Sequence, residues 1–171
     1  MKPLSFRFRP WVLLLGFLTA PLLRAVEPGL TISYEGKITA IAGADLAAMA
    51  HQEVTTFDFH EKKSHLYSGV PVRELLAKAG VLFGEKLRGK GLRLAVLVHC
   101  RDNYDIVFAL AEFDEAFNSR TILLVDRQDG QPLPDNLGAI RLVVPGDKRP
   151  ARWARMVISL EVVSVGSNSS L

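Results

Sequence analysis

Four cations, Lys148, Arg149, Arg152 and Arg155, fall within eight residues of the segment Pro145-Gly146-Asp147-Lys148-Arg149-Pro150-Ala151-Arg152-Trp153-Ala154-Arg155, where Asp147 is the one acid. Guanidinium forks bind phosphate and carboxylate bidentately, and a turn that follows a strand exposes backbone N–H groups as well. The segment therefore has the makings of an anion site. The same residues also suit a solvated loop in which Trp153 tucks into the core and the arginines pair with surface carboxylates. Composition leaves both open.

Two smaller clusters carry other chemistry. His60 and His65 flank Glu61, but a spacing of five puts them on opposite faces of a strand and apart on a helix, so a shared metal would need a loop. A solvated loop with Lys62 and Lys63 is the expectation, and no metal ligand is assigned. His99 and Cys100 end an apolar run. Neighbours on a strand point to opposite faces, so they do not form a catalytic pair, and Cys100 reads as a small buried hydrophobe. A Gly-x-Ser-x-Gly elbow, a phosphate loop ending in Gly-Lys-Ser/Thr, a dinucleotide glycine fingerprint and His-Glu-x-x-His are all missing.

The elements that must position these groups follow from periodicity. Alternation predicts strands over Leu30 to Tyr34, Ile38 to Ile41 and Glu53 to Phe59, with a turn at Glu35-Gly36-Lys37. Asp45 is the expected cap of a short helix over Leu46 to Ala50. Gly69-Val70-Pro71 opens the clearest helix, whose Val72, Leu75, Leu76 and Ala79 share one inward face and which Gly80 ends. Leu92 to Val98 reads as a strand buried on both faces, with Ile106 to Ala109 as its neighbour. Leu110, Phe113 and Phe117 suggest a second short helix. Thr121 to Val125, Arg141 to Val144 and Met156 to Val165 complete the strands. Strands dominate without regular helix alternation, so an α+β fold is expected.

The chain has 171 residues, with 21 Lys and Arg against 18 Asp and Glu. Lys2, Arg7, Arg9 and Arg24 precede residue 26, where there are no acids, so the rest carries 17 against 18. A generally basic nucleic-acid binder is thereby excluded. A hydrophobic content of 49% with 23% charged residues excludes disorder. The single cysteine excludes an intramolecular disulfide and a Cys-rich metal site. Residues 1–25 have the three parts of a signal peptide: cations, an apolar run from Trp11 to Leu23, and small Ala25 at the cleavage point. That run is shorter than the roughly 20 residues a membrane span needs. Arg7-Phe8-Arg9 is not a twin-arginine pair, so the leader fits export of an unfolded chain. One domain over 26–165, a flexible tail over 166–171, and a periplasmic or secreted destination after cleavage, without a membrane anchor, are the expectations.

Several blocks, in order, carry a family resemblance: Tyr67-Ser68-Gly69-Val70-Pro71-Val72-Arg73-Glu74-Leu75-Leu76, Ala79-Gly80-Val81, Asp129-Gly130-Gln131-Pro132-Leu133-Pro134, and Ile140-Arg141-Leu142-Val143-Val144-Pro145-Gly146-Asp147 with Arg152-Trp153. Together they resemble the oxidoreductase molybdopterin-binding domain of the sulfite oxidase superfamily over about residues 30 to 165. The resemblance implies a mixed, strand-rich α+β fold with short helices. It also implies a molybdopterin site whose phosphate is held by Lys148, Arg149, Arg152 and Arg155, and oxygen-atom transfer at molybdenum. The family's molybdenum ligand is a cysteine between the strand and the Gly-Val-Pro helix. Here that stretch, Phe57-Asp58-Phe59-His60-Glu61-Lys62-Lys63-Ser64-His65, contains none. Two functions follow as expectations: a molybdopterin-dependent oxidoreductase if the metal centre is kept, or a non-catalytic periplasmic module that keeps the fold and an anion or pterin site. A protein partner and nucleic acid are not implied.

Overall fold

The computed structural model describes residues 28–166, so residues 1–27, with the expected leader, and 167–171 lie outside the described residues. Among the described residues, ten strands form two sheets. The first sheet has the order β2-β1-β10-β5-β6, built from β1 (Pro28–Tyr34), β2 (Lys37–Ala42), β5 (Leu94–Cys100), β6 (Asp105–Ala109) and β10 (Val157–Ser164). β1 and β10 run parallel and the other neighbours antiparallel. The second sheet runs β3 (Gln52–Asp58), β4 (Lys63–Pro71), β7 (Leu123–Gln128) and β8 (Gln131–Pro132), with β9 (Arg141–Val143) also paired to β7. One apolar cluster joins the sheets, with Leu30, Ile32, Val96, Val98, Phe108 and Leu160 from the first and Tyr67, Val70, Leu124 and Leu142 from the second. This is the strand-rich α+β architecture the sequence predicts.

The alternation within β5 aims Val96, Val98 and Cys100 inward, while His99 faces out to Asp105 and Glu161. His99 and Cys100 therefore separate as expected. Leu97 on the outer face is half-buried, which corrects the reading of β5 as buried on both sides.

Helix α2 (Val72–Lys78) buries Val72, Leu75 and Leu76, with Ala79 just beyond its end. Pro71 closes β4 and caps α2 at once, because its fixed φ suits both. Three local expectations are corrected. α1 spans Gly43–Ala48, with Asp45 in its first turn; the carboxylate there faces the positive end of the helix dipole instead of capping a later helix. Leu110–Phe113 makes one 3-10 turn, closed by buried Asp114, whose carboxylate accepts the Gly84 and Ala116 N–H groups, and Phe117 is left exposed. The expected loop around Lys62 and Lys63 is a tight turn at residues 59–62 followed by β4. Ser64, Leu66 and Ser68 occupy the outer face of that strand, while His65 and Tyr67 alternate inward and Lys63, at the strand's start on their side, is exposed. Gly69 is required where β4 shifts register against β7, since a Cβ there would strike the Leu124 carbonyl and Val125 backbone.

Candidate functional site

Alternation along β3 puts Asp58 on the inward side with Val54 and Thr56, and it is 1% exposed. Arg141, on β9 of the same sheet, is also buried. Arg141 Nη1 donates to Asp58 Oδ2 at 3.1 Å and lies 3.4 Å from the Tyr67 hydroxyl, which itself donates to Asp58 Oδ2 at 3.1 Å. The backbone N–H groups of His60 and Glu61 donate to Asp58 Oδ1 at 2.8 and 3.4 Å, so the same carboxylate caps the β3–β4 turn. The guanidinium lies over the rings of Trp153, at 5.4 Å, and Tyr67, at 5.8 Å, and the two rings meet edge to face. Trp153 is fixed in turn by its indole N–H, which donates to the Val144 carbonyl at 3.0 Å. Burial alone would raise the Asp58 pKa, but the His60 N–H, the Arg141 charge, the Glu61 N–H and the Tyr67 hydroxyl together hold it below the usual carboxylate range. Burial first, with help from Asp58, pushes the Tyr67 hydroxyl well above its ordinary value.

Asp58, Arg141 and Trp153 floor a cavity of about 400 Å³. Its wall comes from turns of both sheets: His60 and Glu61 after β3, Asp102 and Tyr104 between β5 and β6, Asn136 and Leu137, and Pro150 to Arg155 apart from Arg152. The Tyr104 hydroxyl donates to the Ala151 carbonyl at 2.7 Å and ties two of these walls together. A volume of this size lies in the range of small-molecule sites.

The basic segment divides. Arg155 lines the cavity. Lys148 and Arg149 are exposed and do not line it. Arg152 makes two bonds to Asp147, both at 2.8 Å, and a third to Glu112 at 2.8 Å, with its guanidinium 4.8 Å above the Phe108 ring. Arg120 also donates to Asp147 at 3.1 Å. The Arg152 bond lowers the Asp147 pKa, and Asp147 raises that of Arg152. Trp153 is buried. The two readings of the segment are thus shared out among its residues: packing and pairing for Trp153 and Arg152, and a place in a cavity wall for Arg155.

His60 and His65 are set apart, the first exposed in the turn and the second 4% exposed on β4. His65 Nδ1 stands 2.6 Å from Asp129 Oδ2 and Nε2 stands 2.8 Å from Glu61 Oε2, so the imidazole fastens the β3–β4 turn to the β7–β8 turn. The His65 bond, aided by the Leu66 N–H, lowers the Asp129 pKa. Among the described residues, no three His, Cys, Asp or Glu side chains converge as a metal site. Cys100 lies in the core and lines none of the cavities. Burial, then Asp102 and Asp105, pushes its thiol up to about 11, which keeps it protonated and poorly nucleophilic.

Sequence reasoning missed Asp58, Tyr67 and Arg141 as a unit. The available signal was a lone acid on the inward face of one strand and a lone arginine inside the apolar Ile140-Arg141-Leu142-Val143-Val144 run. Buried charges occur in pairs, so two such isolated and opposite charges are candidates to meet.

Two sheets joined by one core, with a cavity among their turns, make up this domain. The chain belongs to the family described as "oxidoreductase molybdopterin binding domain", whose model matches residues 38–170. Among solved structures, the fold is similar to that of the sulfane dehydrogenase SoxCD from Paracoccus pantotrophus, at a TM-score of 0.59 and 20% identity. That alignment covers 81% of this chain and 39% of the SoxCD chain, so the present chain corresponds to less than half of that protein. No curated protein sequence matches the chain significantly.

The residues present do not fit the metal centre that the resemblance implies. No sulfur lines the cavity, and Asp58, the buried residue of the 57–65 stretch that reaches it, is already bonded to Arg141. Asp58, Glu61 and Asp102 outnumber Arg141 and Arg155 in the lining, which works against a phosphate.

Proposed function

We propose that this chain is an exported small-molecule-binding module of the molybdopterin-binding oxidoreductase family, and that it works without the family's molybdenum centre. The donor set of the cavity carries this reading. Asp58 is consumed by the Arg141 and Tyr67 bonds, and the chain's one thiol is packed in the core. What remains suits binding. Asn136 and the rim groups of Asp102, His60 and Arg155 offer hydrogen bonds and charge, while Leu137, Pro150, Ala151 and Ala154 supply apolar wall. The leader over residues 1–25 supports a periplasmic or secreted location.

A second reading is a cofactor-loaded oxidoreductase, favoured by the family match over residues 38–170. Arg155, with Lys148 and Arg149 in the adjoining loop, would then be the cations offered to the pterin phosphate. One experiment separates the two: elemental analysis of native exported protein for molybdenum, with extraction for pterin fluorescence. The module reading expects neither molybdenum nor pterin, and stoichiometric amounts of both would overturn it.

A further inference from the structure

A guanidinium taken out of water requires an anion close by, because its desolvation is costly unless the charge is met. Arg141 is such a group: its side chain is 3% exposed, and it reaches the cavity floor. The chain itself provides the anion. Asp58, 1% exposed, meets Nη1, and four donors from three directions hold its carboxylate in place. The fit uses only one prong of the fork, however. Nη1 makes the bonds, while the buried Nε has no partner among the described residues. Free oxyanions usually engage a guanidinium through two parallel bonds. A carboxylate anchored to a strand end, as here, takes less.

We infer that Asp58 is a built-in counter-anion standing where an oxyanion would otherwise bind Arg141, so that the cavity admits uncharged or cationic small molecules and turns away phosphates, sulfur oxyanions and carboxylates. Glu61 and Asp102 in the wall, set against Arg155, favour the same class of ligand. This inference deepens the proposed function and rests on it. Its test needs no natural ligand and is independent of the metal analysis.

The test uses the full chain carrying Trp11→Phe, which leaves Trp153, 5.4 Å from the guanidinium, as the only tryptophan. Asp58→Ala in this background removes the carboxylate and opens room beside Nη1. Formate, sulfite and inorganic phosphate are then titrated at constant ionic strength, reading Trp153 fluorescence and thermal midpoint. The parent should show no saturable response. Asp58→Ala should bind at least one of the anions about tenfold or more tightly than the parent, with a rising midpoint, since a ligand that binds only the folded state stabilises it. Adding Arg141→Leu should abolish the gain. If Asp58→Ala is unfolded in plain buffer, the same anions should refold it. A parent that binds these anions as tightly as the variant, or a variant that none of the three binds or refolds, overturns the inference.

Discussion

Asp58 is the one charged residue on the inward face of β3, Arg141 is the one charged residue of β9, and each makes sense only through the other. Removing one partner of a buried pair leaves an uncompensated charge, a loss of about 3 to 5 kcal/mol. That pairing sets a pH dependence. The Asp58 carboxyl is held below its unfolded value, so the stability it contributes is complete above about pH 4, the unfolded range of aspartate. It is lost as the pH falls through the lower folded value. Thermal midpoints of the parent and of Asp58→Asn should therefore lie well apart at neutral pH and converge as the pH drops below 4. A gap that stays constant through acid would mean that the carboxylate charge contributes nothing. This network was only partly legible beforehand. Two misplaced charges can be read from a sequence, but their meeting depends on β9 pairing with β7 and β3 with β4, which no local pattern encodes. The four clustered cations were conspicuous for the opposite reason. Proximity along the chain made them look like one site, whereas the short turn at Pro150–Arg152 sends Arg152 to Glu112 and Asp147 and leaves Arg155 on the cavity wall.

Local chemistry predicted α2 well because three independent signals agree: Pro71 at its start, the i, i+3, i+4 spacing of Val72, Leu75 and Leu76, and Gly80 beyond its end. Leu75→Ala or Leu76→Ala should cost about 2 to 5 kcal/mol, since both are fully buried. Lys78→Ala, at an exposed position, should cost under about 0.5 kcal/mol. Urea denaturation of the three variants measures the contrast, and equal losses at Leu76 and Lys78 would refute the helix register. β4 was the element least legible in advance. Its first two residues, Lys63 and Ser64, are both exposed and the inward His65 is itself polar, so polarity does not alternate and the strand resembles a loop. What makes it a strand is pairing on both sides, with β3 and β7, together with the inward bonds of His65 to Glu61 and Asp129. The β7 pairing and the Asp129 bond join residues far apart along the chain, and a periodicity rule cannot see them.

At the scale of the molecule, distant segments are fastened by a few multi-bond side chains. Arg152 joins the loop at Asp147 to the 3-10 turn at Glu112 and covers Phe108. Its partners are only partly buried, so solvent screening limits the gain. Arg152→Ala should cost about 1 to 2 kcal/mol in urea denaturation, the sum of modest ion pairs and a cation–π contact. A loss within error of zero would show the clasp to be idle. The pairing of β10 has a different kind of consequence. This strand, the last of the ten, lies in the middle of the first sheet, with Thr31 opposite Ser159 on one side and Val98 opposite Leu160 on the other. Until it arrives, β1 and β2 form a hairpin with no sheet to join, and the inward faces of β1 and β5 have no neighbour between them. The chain therefore cannot assemble progressively from its first residues onward. Its early hairpins, β1–β2 and β5–β6, must wait to be joined into one sheet until the β10 residues are available. Closing the first sheet is consequently a late event, slow by the measure of sequence separation, and a nascent chain that lacks β10 keeps its two hairpins apart.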